Sequence, residues 1–87
     1  MTILYRPNSE HARAVESFVR DFARRYTDVK LELVNIDSRD GAAMASLYDI
    51  MQYPGILALA GDGVLLKSWQ GPDVPMIDEV ASYAHSA

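Results

Sequence analysis

Between two short β-prone runs lies a single segment whose apolar residues repeat at the spacing of one helix face. Val15, Phe18, Val19, Phe22 and Tyr26 keep that spacing, and their neighbours Arg13, Glu16, Arg20, Asp21, Arg24 and Arg25 are polar. The flanking runs are Thr2 to Tyr5 and Lys30 to Ile36. A strand–helix–strand order implies a right-handed crossover with parallel strand pairing. Pro7 removes a backbone donor and ends the first strand. Asn8 or Ser9 is expected as the helix N-cap, with Glu10 in the positive first turn. Arg24 and Arg25 suit the negative end of the same helix.

The second run passes from alternation into continuous apolar residues, as expected of a strand entering a covered sheet. Asp37, Ser38 and Asp40 are turn and cap residues ahead of a shorter helix through Met44, Leu47 and Tyr48, ending near Ile50. Pro54 and Gly55 precede a third strand, Ile56 to Ala60. Gly61-Asp62-Gly63 predicts a tight hairpin turn into a fourth strand, Val64 to Trp69. Gly71-Pro72-Asp73 breaks the sheet, and Asp73 is expected to cap a last helix carrying Ile77, Val80, Ala81 and Ala84. The predicted architecture is α/β, in the order β-α-β-α-β-β-α, with a four-stranded mixed sheet between helices. The first and third helices would cover one face and the second helix the other. The 87 residues fit one domain, 1–87.

The chain has no cysteine. That removes structural disulfides, thiolate metal sites and every cysteine-based mechanism together. His11 and His85 have no partner at ligand spacing, so no metal is expected. The net charge of −4 argues against non-specific nucleic-acid binding, which needs a basic face. No apolar run is long enough to span a bilayer, and the N-terminal residues lack the h-region of a secretion signal. The expectation is a cytoplasmic protein with no membrane contact.

The local residues sharpen this outline. Ala45-Ser46-Leu47-Tyr48-Asp49-Ile50-Met51-Gln52-Tyr53-Pro54 resembles the thioredoxin stretch that leads to its cis-proline. Asn35-Ile36-Asp37 is similar to that family's strand ending ahead of its second helix. Gly61-Asp62-Gly63 lies where the family has its hairpin, and Gly71 where it has a glycine before the last helix. The opening Tyr5-Arg6-Pro7-Asn8-Ser9-Glu10-His11-Ala12 looks most like the glutaredoxin branch, in which a tyrosine, a basic residue and a proline precede Cys-x-x-Cys. The resemblance covers the whole chain and implies a thioredoxin-like fold. It places Ser9 at the nucleophilic cysteine and Ala12 at the resolving one.

The family's reaction needs a thiolate whose pKa is lowered by a helix N-terminus. Ser9 keeps the position without the thiol, and a hydroxyl needs an adjacent base to become a nucleophile. Ser9 is read as a helix cap and His11 as a solvated helix-start residue, so no catalytic residue is assigned and an enzyme is not expected. The resemblance implies that Tyr53, ahead of a cis-Pro54, presents backbone groups to an extended peptide or to the cysteine portion of glutathione. It also implies a glutathione carboxylate contact for Arg6 and a further contact for Asp73, although capping the last helix explains Asp73 better. Gly71-Pro72 departs from the family's double glycine. Tyr53 and Trp69 are aromatic residues near strand ends, core or exposed. The leading reading is a redox-inactive module that binds a protein or peptide through Arg6, Ser9, His11, Tyr53, Pro54 and Asp73. The alternative is a glutathione-binding relative without reductase turnover, with glutathione the one cofactor in question.

Overall fold

The structure is a computed structural model describing residues 1–71 and 73–84, with only the backbone of Ala84. Pro72 and His85, both weighed above, lie outside the described residues. The elements run β1 (Thr2–Tyr5), α1 (Ala12–Arg25), β2 (Glu32–Asn35), α2 (Arg39–Leu47), β3 (Gly55–Leu59), β4 (Leu65–Gln70) and α3 (Ile77–Ala84). They form a mixed α/β fold with one four-stranded sheet, ordered β2-β1-β3-β4.

β1 pairs parallel with β2, from Thr2 opposite Glu32 to Tyr5 opposite Asn35. It pairs antiparallel with β3, from Thr2 opposite Leu57 to Leu4 opposite Gly55. β3 and β4 close the other side as an antiparallel hairpin with an irregularity at Ala58 and Leu59. The hairpin turn uses Gly63 at a φ of 89°, a conformation glycine adopts without steric cost. Tyr48 Oη donates to the Gly63 carbonyl at 2.9 Å and ties that turn to the end of α2.

The period-2 pleat divides the core between the two faces. Ile3 and Ile56 point to one side and meet Val15, Phe18 and Phe22 of α1 with Val80 and Ala81 of α3. Leu4 and Leu57 point to the other and meet Ile36, Ile50 and the partly buried Met44, Ala45 and Tyr48. Phe18, Phe22 and Tyr26 stack along α1 with centroid separations of 5.9 and 5.4 Å.

Three details differ from the sequence expectations. Helix α1 starts at Ala12 with His11 at the N-cap, so neither Asn8 nor Ser9 caps it and its first turn holds no acid. Asn8 instead takes a φ of 65°, the left-handed conformation that asparagine tolerates, and turns the chain ahead of the helix. Helix α3 starts at Ile77, which leaves Asp73 too far upstream to cap it. β2 is a sheet edge rather than a covered strand: Glu32, Leu33 and Asn35 are exposed. By contrast Ser38 is the N-cap of α2, accepting from the Gly41 N–H at 3.0 Å.

Candidate functional site

β1 leads into a helix on one face of the sheet and β2 into a helix on the other. Where neighbouring parallel strands send their connections to opposite faces, a crevice opens beyond their carboxyl ends, the usual ligand position in open α/β sheets. Arg6 follows β1 and Asp37 lies two residues past β2, so both fall at this switch point. They meet there: Arg6 Nε and Nη2 donate to Asp37 Oδ2 and Oδ1 at 3.2 and 3.3 Å. This is the planar fork-to-fork match of a guanidinium with a carboxylate. The two side chains are 57% and 59% exposed, so water screens the pair and its stabilisation is about 0–1 kcal/mol.

The loop between β1 and α1 is fastened to itself at Arg6. Ser9 Oγ donates to the Arg6 carbonyl at 2.5 Å, and His11 Nε2 accepts from the Arg6 backbone N–H at 3.2 Å. Ser9 and His11 thus hold the two polar groups of one residue and do not contact each other as nucleophile and base. An accepting Nε2 assigns the neutral ring's proton to Nδ1. The Ala12 N–H reaches the Ser9 carbonyl at 3.2 Å, completing the turn into α1.

Pro54 directly precedes the Gly55–Leu4 pair, so the antiparallel register brings residues 53 and 54 alongside the end of β1. The Tyr53–Pro54 peptide bond is cis. Pro54 is buried and Tyr53 half-buried, its hydroxyl donating to the Ile50 carbonyl at 3.4 Å. The loop is secured from β4, where Gln70 Oε1 accepts from the backbone N–H groups of Met51 and Gln52 at 2.8 and 3.4 Å. Gly71 follows at a φ of 123°, and a Cβ there would lie 3.3 Å from Gln52 Oε1.

Arg6, Ser9, His11, Tyr53 and Pro54 therefore share one end of the sheet, with Asp73 exposed on the segment leaving β4 at that same end. Ala12, placed with Ser9 by the sequence reading, is buried at the first position of α1. Sequence reasoning missed two participants. Asp37 was read as a turn residue, yet it is the partner of Arg6. Gln70, which fastens the loop ahead of Pro54, is the other. The parallel register sets the ends of β1 and β2 side by side, so Asp37 was recoverable once those strands were paired; no local pattern marks Gln70.

Among the described residues no group of three or more histidine, aspartate or glutamate side chains is placed to hold a metal ion. No helix among them is long and apolar enough to cross a membrane. No protein-family model matches the chain, and no curated protein matches it in sequence.

Proposed function

We propose that this chain is a thioredoxin-like domain of glutaredoxin type that has exchanged thiol chemistry for recognition, binding an extended protein or peptide segment at the carboxyl end of β1. The observation that carries the reading is that the Arg6–His11 and Tyr53–Pro54 loops both lie at the carboxyl end of β1, in a chain without cysteine. Ser9 stands where the resemblance puts the nucleophilic sulfur, and its hydroxyl serves the Arg6 carbonyl. Among the described residues the Tyr53 backbone N–H has no hydrogen-bond partner, which suits it to pair with an incoming main chain.

Glutathione is the second reading, and Asp73 favours it, because a carboxylate not needed to cap α3 is available to a ligand ammonium. The Arg6–Asp37 pair weighs against it, since a ligand carboxylate would have to displace Asp37.

Titration of the isotope-labelled chain with a capped extended peptide, and separately with reduced glutathione, tests both. The peptide is expected to shift the amides of Arg6, His11 and Tyr53. Shifts confined to other parts of the chain overturn the assigned face. Shifts from glutathione at Arg6 and Asp73, with none from the peptide, transfer the site to the second reading. Turnover of a glutathione mixed disulfide would end the recognition reading altogether.

A further inference from the structure

A groove of about 550 Å³ lies between the outer edge of β2 and the start of α2, on the far side of the loop that carries Asp37 and bounded there by Asn35 and Ser38. Its apolar lining comes from Leu33, Val34, Ala43 and Met44, and its acids are Glu32 and Asp40. The backbone of β2 faces the groove in a defined way. The N–H groups of Glu32 and Ile36 donate inward to the carbonyls of Met1 and Tyr5, at 2.9 and 3.0 Å. In a parallel ladder the even-numbered residues of this strand then point both polar groups at β1, and Leu33 and Asn35 point theirs outward. The Asn35 carbonyl is already taken, accepting from the Ser38 N–H and Oγ at 3.0 and 2.6 Å. The Leu33 N–H and C=O and the Asn35 N–H have no partner among the described residues.

The groove's far wall is fixed in place. A Cβ on Gly41 would stand 2.0 Å from the Asn35 carbonyl oxygen, so α2 rests against the end of β2 main chain to main chain. Exposed edges are commonly blunted by short length, charged side chains, proline, a bulge or a covering helix. β2 is short, carries Glu32 and meets α2 at Asn35, but it has no lysine, proline or bulge, and its middle stays open with Leu33 39% exposed. Glu32 and Asp40 have no ion-pair partner among the described residues.

We propose that this groove takes an extended peptide as a fifth strand beside β2, with a lysine or arginine side chain set against Glu32 and Asp40. Backbone pairing to Leu33 and Asn35 supplies the register, and the alternate side chains of the added strand reach the apolar floor over Ala43 and Met44. The charge pattern selects the occupant. A second copy of this chain would pair antiparallel about Leu33 and bring Glu32 and Asp40 of both copies to one face, between chains of net charge −4. A basic strand meets the same two carboxylates with opposite charge.

The probe is a capped peptide of alternating valine and threonine with one central lysine, titrated into the full-length labelled chain. Its counterpart carries glutamate in place of the lysine. Shifts are expected at the amides of Leu33, Asn35 and Met44, with the lysine peptide binding several-fold more tightly than the glutamate one and losing that preference in high salt. Glu32→Gln combined with Asp40→Asn keeps shape and removes charge, and should weaken the lysine peptide about three- to tenfold while leaving the glutamate peptide no weaker. Leu33→Pro removes the outward donor at an edge position that tolerates proline, and should weaken both peptides. Equal affinity for the two peptides overturns the proposal, as does a peptide-independent dimer by sedimentation. Shifts at Arg6 and Tyr53 alone would also overturn it while supporting the switch-point site.

Discussion

Phe22 is completely buried on one face of the sheet, whereas Leu47 and Met51, at the end of α2 and just beyond it on the other face, are 71% and 82% exposed. Among the described residues the α1–α3 face gathers seven buried residues with nine partly buried apolar neighbours around them. The α2 face has four buried residues among them, none from α2 itself, whose buried position is Gly41. Packing secures the first face. The second depends more on caps, turns and a close backbone contact, features that cost less to open locally. Both proposed binding regions use its elements: the loop after β2 and the loop ahead of β3 at the switch point, and the β2–α2 groove.

The sharpest test of this contrast is truncation on the heavy face. Phe22→Ala removes a ring that touches Phe18, Tyr26 and the sheet, and should cost about 3–5 kcal/mol. For a chain this size that is a fall in Tm of at least 12 °C by thermal denaturation, at about 4–8 °C per kcal/mol. A loss below about 1 kcal/mol would mean the helix α1 face is not the main source of stability.

Gly41→Ala attacks the light face at its one close approach. On an ordinary helix this change would stabilise by about 1 kcal/mol. Here the methyl would meet the Asn35 carbonyl oxygen, its carbon and the Ile36 Cα, backbone atoms that cannot rotate away. A cost of about 1–3 kcal/mol is expected, with hydrogen exchange accelerated through α2 more than through α1. Stabilisation by this variant would show that α2 does not rest on β2. A smaller effect should follow Ser38→Ala, which removes the cap oxygen serving the Gly41 N–H and should cost about 1 kcal/mol in urea denaturation.

The same contrast explains which parts of the fold the amino-acid sequence makes legible. The helix face of Val15, Phe18 and Phe22 is periodic, and periodicity reports a packed face; β1 and β3 are continuously apolar, so it is the order of elements that assigns the helices to opposite faces. The two faces and the layering of helices were therefore visible. Helix starts were read less well, because Ser9 has a cap residue's chemistry but spends its hydroxyl on the Arg6 carbonyl, and Asp73 stands four residues ahead of α3. Both depend on loop conformations that propensity does not determine. The edge position of β2 was hidden for a different reason: Leu31, Leu33, Val34 and Ile36 give the composition of a covered strand, and only the strand order leaves one side of it open. The candidate site was legible as a set of loop residues. The pairing of Arg6 with Asp37 was not, since it joins residues 31 positions apart through a register.

A polar clasp at the rim of the heavy face gives the smallest expected effect and separates packing from charge there. Tyr26 Oη donates to Asp78 Oδ1 at 2.5 Å, and Arg25 Nη1 meets the same oxygen at 3.2 Å, joining α1 to α3. The tyrosine hydrogen bond, then the arginine, hold the Asp78 carboxyl below its ordinary range, while that same bond to the carboxylate raises the Tyr26 hydroxyl above its own. Asp78, depressed in the folded chain, contributes stability above its unfolded pKa and loses it as pH falls through the folded one. Tyr26, raised in the folded chain, contributes below its unfolded pKa and loses it as pH rises through the folded one. Tyr26→Phe keeps the ring against Phe22 and the Arg25–Asp78 pair, and deletes the hydroxyl's bond to Asp78. The Tm difference between the two proteins should therefore be largest around neutral pH and shrink toward both the acid and the alkaline ends. A difference that stays constant with pH would show that the hydroxyl acts only through its bulk, and that the heavy face owes its strength to packing out to its edge.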